Sequence, residues 1–150
     1  MPGNEGAISN AAGAIDYTVA EGVKISNNSY GWYVVCSGVC PLHTLHDAIA
    51  KVGDAGHLFV TAAMNGGADY VGDNNDTKPI YPSSFDNPNI ISVAASNTSD
   101  ELASFSNYSD TSVDLAAPGK PILSTKPGNA YSYGEGTSVV APHIKGFQHS

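Results

Sequence analysis

Gly136-Thr137-Ser138-Val139-Val140-Ala141-Pro142-His143 is the stretch on which the reading of this chain turns. A Gly-containing approach delivers a serine to the start of an apolar run. Ser138 therefore falls at the mouth of a helix, among backbone N–H groups that lack intrahelical partners and at the positive end of the helix dipole. That position suits a nucleophile whose attack creates an oxyanion. It also suits a simple N-cap, the commoner meaning of Ser or Thr at a helix start. The octet alone leaves both readings standing.

Upstream, two other stretches carry helical periodicity. Ile8, Ala11, Ala12, Ile15 and Val19 mark one face of a helix that Gly22 stops, and Leu42, Leu45, Ile49 and Val52 mark a second, closed by Gly53 and Gly56. Between and after them lie β-prone runs. Val23 to Ser29 is short and ends in polar Asn27, Asn28 and Ser29; Leu58 to Ala63 and Ile90 to Ala95 are apolar enough for buried strands; Val113 to Ala116 and Ile122 to Thr125 supply two short ones. Helix and strand alternating in the first half argue for βαβ units and a parallel sheet, because parallel neighbours need a crossover long enough to hold a helix. Ligands of such sheets lie beyond the carboxyl ends of the strands.

The bulk properties agree. A chain of 150 residues supports one core rather than two, and 41% hydrophobic with 13% charged residues is a packing composition. Fourteen acidic against six basic residues give a net charge of -8, which repels nucleic acid and anionic membrane surfaces. No apolar run approaches the roughly 18 residues of a membrane span, and the first residues show no signal-peptide pattern. The sixteen Gly and nine Pro imply many turns, and function is expected on the loops.

The octet resembles the nucleophile motif of the subtilisin-like serine proteases, Gly-Thr-Ser-Met-Ala-x-Pro-His. Other stretches resemble that family in its order and spacing: Ser29-Tyr30-Gly31 its substrate-pairing edge, Ala62-Ala63-Met64-Asn65-Gly66 its oxyanion segment, and Tyr81-Pro82-Ser83-Ser84-Phe85 and Leu115-Ala116-Ala117-Pro118-Gly119 two further motifs. The resemblance implies an α/β fold, a three-layer parallel sheet with helices on both faces, present here in part. Residues 1–150 would form the C-terminal part of a peptidase domain. It implies a serine endopeptidase with Ser138 as nucleophile and Asn65 as oxyanion donor, and a peptide or protein substrate held by Ser29, Tyr30, Gly31, Ala62, Ala63 and Met64. It implies no cofactor, allows a structural calcium ion, and suggests a secreted protein.

The chain also departs from the pattern. A serine hydroxyl needs a general base, which the family supplies as a His oriented by an Asp, and neither motif is in this chain. In the family both precede the matching segment, so the expectation is a truncated domain, inactive alone, that needs the N-terminal half. None of His43, His46, His57, His143 and His149 stands in the family's His-Gly-Thr context. Met64 replaces the glycine before the oxyanion Asn, and Lys145 a small residue on a buried helix. The alternative function is a non-catalytic homologue that only binds peptide.

Three local features complete the reading. Cys36, Cys40, His43 and His46 invite a zinc site, but the spacing is cramped beside known structural sites, and bridged or free thiols without metal are expected. Asp73 to Asp76 lacks EF-hand spacing and reads as a solvated turn. Asn27, Asn75, Asn97 and Asn107 each head a glycosylation sequon.

Overall fold

A computed structural model describes residues 8–34 and 41–147. In chain order the elements are α1 (Ile8–Ala20), β1 (Ile25–Asn28), α2 (Pro41–Asp54), β2 (Leu58–Ala62), β3 (Ile90–Ser96), β4 (Leu115–Pro118), β5 (Ile122–Lys126), β6 (Ala130–Gly134) and α3 (Thr137–Phe147). Strands β1 to β4 pair in sequence order, all parallel, while β5 and β6 form an antiparallel hairpin.

Strand alternation sorts the core into two layers around the sheet. Phe59 and Ile90 are register partners. They join Ile15 of α1 and Leu45, Ile49 and Val52 of α2 in one cluster. Val60 and Ile91, the next partners, face the other way with Val93, Ala95 and Ala117 toward Val140, Ala141 and Ile144 of α3. The sheet is thus covered by helices on both faces, as parallel strands require. Phe59, Val60, Thr61 and Ala62 are inaccessible to solvent, which explains why this stretch shows no polar alternation.

Glycine is required where α3 approaches the sheet. A Cβ at Gly119 would lie 2.5 Å from Val140 Cγ2 and 2.6 Å from the Ala95 Cβ. Gly119 also donates to the Ser96 carbonyl at 3.0 Å and accepts from the Gly136 amide at 3.1 Å. These two bonds tie the end of β3 to the entrance of α3 and so fix where Ser138 emerges.

Some boundaries differ from the sequence reading. The fourth strand is Leu115–Pro118 rather than Val113 to Ala116: register pairing begins at Val93↔Leu115, and just before it the Asp114 amide donates to the Ser92 carbonyl at 3.0 Å while its carboxylate takes the Ser92 amide at 2.7 Å. Helix α2 runs through Gly53 to Asp54. Strand β6 was not expected at all. Cys36, Cys40, His149 and the side chain of Lys145 lie outside the described residues.

Candidate active site

Two connections leave the carboxyl ends of β1 and β2 and flank the mouth of α3. The first carries Ser29, Tyr30 and Gly31. Ser29 Oγ donates to the Ser138 carbonyl at 3.0 Å. That carbonyl would ordinarily accept from the amide four residues on, but residue 142 is proline and has no N–H. Ser29 thus satisfies an acceptor that the helix itself cannot.

The second connection carries Asn65. Its Oδ1 accepts from the Thr137 amide at 3.1 Å and from Thr137 Oγ1 at 3.2 Å. A side chain 72 positions away in sequence therefore caps the first turn of α3. Because the carbonyl end of the amide is held, its NH2 end is oriented, and among the described residues it has no hydrogen-bond partner. Ser138 is partly exposed at the helix mouth, and its hydroxyl makes no hydrogen bond among the described residues.

The Asn65 segment is braced from behind. Asn65 bridges Ser106, Gly66 donates to the Phe105 carbonyl at 2.8 Å, and the Asn107 amide donates to the Met64 carbonyl at 2.9 Å. Asn75 Nδ2 donates to the Ala63 carbonyl at 3.0 Å and its Oδ1 accepts from Asn107 Nδ2 at 3.0 Å. The Asp73 amide in turn donates to Asn107 Oδ1 at 2.9 Å. Asn75 and Asn107 are 1% and 0% exposed, so these two sequons are closed to modification in the folded protein. Their buried amides instead position the loop, a role that sequence reading missed along with that of Thr137. Ala62 and Ala63 are fully buried and support the same segment from within.

Met64 has φ 75°, the left-handed conformation that costs a residue with a Cβ roughly 1–2 kcal/mol. Tyr30 packs against the α1/α2 cluster and on Trp32, with ring centroids 5.2 Å apart. Its hydroxyl donates to Asn28 Oδ1 at 3.0 Å, and burial pushes the phenol up to about 12. The backbone groups of Ser29, Tyr30 and Gly31 have no backbone partner among the described residues, whereas Trp32 pairs with Tyr81 in both directions, at 2.8 and 3.0 Å.

No described histidine bonds the Ser138 hydroxyl. His57 is buried, its Nε2 2.8 Å from Ser26 Oγ and its Nδ1 2.9 Å from the Val23 carbonyl. His46 lies between Asp47 and Asp86, each at 3.3 Å. His43 and His46 line a cleft of about 510 Å³ with Leu42, Tyr81 and Phe85, and Ser138 is not among its lining residues. His143 is on α3 itself.

The Asp73–Asp76 loop is not a free acidic cluster, nor merely a solvated turn. Asp73 pairs with Lys78 at 2.8 Å, and Asp76 accepts from Ser109, Thr111 and the Asp110 amide. Protein donors thus engage both carboxylates, through Oδ2 of Asp73 and both oxygens of Asp76. Among the described residues no three His, Cys, Asp or Glu side chains cluster as metal ligands, and no helix is long and apolar enough to cross a membrane.

A parallel sheet that presents a serine at the mouth of a helix, beside an oriented amide NH2, sets hydrogen-bond donors where negative charge on an acyl oxygen could be met. Comparison with known proteins narrows this. The model of the subtilase family matches residues 2–148. A thermophilic serine proteinase of Bacillus sp. (strain AK1) is 38% identical over 141 residues, 94% of this chain and 31% of that protein. An intracellular serine protease of Paenibacillus polymyxa is 36% identical over 132 residues, 88% of this chain and 37% of that protein. The crystal structure of the epidermin leader peptide processing serine protease from Staphylococcus aureus superposes with a TM-score of 0.82 at 20% identity, covering 97% of this chain and 44% of that one, and shares the fold. The chain belongs to the subtilase family. It spans about a third of the length of the two curated relatives named here, one of which is named as intracellular, so family membership does not by itself carry secretion.

Proposed function

We propose that the protein is a serine endopeptidase in which Ser138 is the nucleophile, Asn65 and the Ser138 amide bind the oxyanion, and the general base comes from residues outside these 150. The observation that carries this reading is the Asn65–Thr137 contact: it anchors the amide carbonyl and leaves the NH2, which has no partner among the described residues, beside the helix mouth.

In the proposed reaction Ser138 Oγ attacks the peptide carbonyl carbon while its proton passes to the base. The carbonyl electron pair moves onto oxygen and is met by Asn65 Nδ2 and the Ser138 N–H, preorganised donors whose loss typically costs about 3 kcal/mol apiece. Collapse breaks the C–N bond, the proton goes to the leaving amine, and an ester remains on Ser138. Water then attacks that ester, its proton returning through the base to Ser138 Oγ as the acid leaves. The extended peptide would lie along Ser29, Tyr30 and Gly31, whose backbone groups have no backbone partner among the described residues.

The base is assigned elsewhere because His46 and His57 have other partners and His43 lines a cleft whose lining does not include Ser138. A second reading, a module that binds peptide without chemistry, draws on Met64, whose side chain stands beside the same edge. Trapping separates the two. The chain supplemented with an upstream subtilase segment bearing the Asp and His motifs is treated with an aryl fluorophosphonate and mapped by mass spectrometry. We expect one adduct, on Ser138; an adduct on another residue, or none, would reject the nucleophile assignment.

A further inference from the structure

We propose that Met64 is the specificity-determining residue of this site and restricts the acyl-side residue of the peptide to small side chains: glycine, alanine or serine. The inference rests on the reading of residues 29–31 as the peptide-binding edge and names the substrate class which that edge accepts.

β1 and β2 are parallel neighbours, in register to Asn28↔Thr61, and their continuations flank the helix mouth from two sides. Ser29 holds the Ser138 carbonyl from one side, and Asn65 holds the Thr137 amide from the other. A peptide lying on residues 29–31 with its carbonyl between Ser138 and Asn65 sends the side chain next to that carbonyl into the gap between the two segments.

The contents of the gap decide what fits. Gly31 contributes no side chain, yet a Cβ there would lie 3.2 Å from Met64 Cγ, 3.2 Å from Met64 Sδ and 3.2 Å from the Tyr81 carbonyl oxygen. Space beside Gly31 is therefore already filled, down to the scale of one methyl group, and the filling atoms are those of Met64 on one side and fixed backbone on the other. The thioether is the movable wall. Glycine at position 64 would adopt the same φ of 75° without strain and remove that wall, so the substitution isolates the side chain from the backbone.

Binding tests this without requiring turnover. The 150-residue chain and its Met64→Gly and Met64→Leu variants are titrated by calorimetry with two N-acetylated tetrapeptides, identical except for a C-terminal Ala or Phe. The chain and Met64→Leu should bind the Ala peptide about tenfold more tightly than the Phe peptide, and Met64→Gly should bring the two within about threefold by improving Phe alone, as expected when pocket volume sets selectivity. Binding of both peptides with the same ratio in all three proteins would overturn the role of Met64 while leaving the peptide edge standing. No binding of either peptide by any of the three would reject the edge, and this inference with it.

Discussion

Ser29 and Ser138, 109 positions apart in sequence, are joined by a 3.0 Å hydrogen bond from the Ser29 hydroxyl to the Ser138 carbonyl. The bond exists because Pro142 withholds the amide that would ordinarily take that carbonyl, so the segment after β1 and helix α3 are coupled through a defect in the helix itself. Ser29→Ala should cost about 1 kcal/mol of stability. Pro142→Ala restores a helical donor, and in that background the cost of Ser29→Ala should shrink by roughly half a kcal/mol or more. Urea unfolding of the four proteins of the cycle gives the coupling; strict additivity would show that the carbonyl does not depend on Ser29.

Asn75 and Asn107 form a buried amide pair behind the Asn65 segment. Asn107→Ala strands Asn75 Oδ1 and the Asp73 amide, and leaving buried groups unpaired costs on the order of 2 kcal/mol. The midpoint of chemical unfolding should fall accordingly, and so should activity in a complemented enzyme, because Asn65 loses its brace. An unchanged midpoint would remove the pair from the account.

Asp76 links its loop to residues 109–111. Hydrogen bonds from Ser109, then Thr111, then the Asp110 amide hold its carboxyl down to about 2, below its ordinary value of 3.8. A depressed folded-state value means that the unfolded chain takes up the proton first on acidification. The stabilisation is therefore complete above the ordinary value and disappears as pH falls through about 2. Asp76→Asn should flatten the stability profile between those limits. Identical acid profiles for the two proteins would refute the linkage.

Much of this arrangement was legible in the sequence because it is local. The 3.6-residue spacing from Ile8 to Val19 and from Leu42 to Val52 gave α1 and α2, and the largely apolar run at Leu58 to Ala63, interrupted only by Thr61, gave the inner strand β2, since a buried helix face or strand writes its burial into a few neighbouring residues. The mouth of α3 was visible for the same reason. The contacts that shape the site are not local. Nothing near Asn65 announces that its partner is Thr137, and Asn75 and Asn107 read as glycosylation sequons because burial comes only from the fold. Strand β6, Ala130–Gly134, escaped notice because its tyrosines at 131 and 133 are exposed and carry no core periodicity.

The central claim, that Ser138 performs the chemistry with a base from outside this chain, is tested most directly by hydrolysis of a chromogenic peptide ending in alanine. Three samples are compared: the chain alone, the chain supplemented with the upstream segment, and the supplemented Ser138→Ala protein. Turnover should appear only in the second, since removing the serine or histidine of such a unit costs on the order of 10⁶ in rate. Comparable turnover by the chain alone would contradict the assignment of the base elsewhere, and equal turnover by the last two samples would contradict the assignment of Ser138.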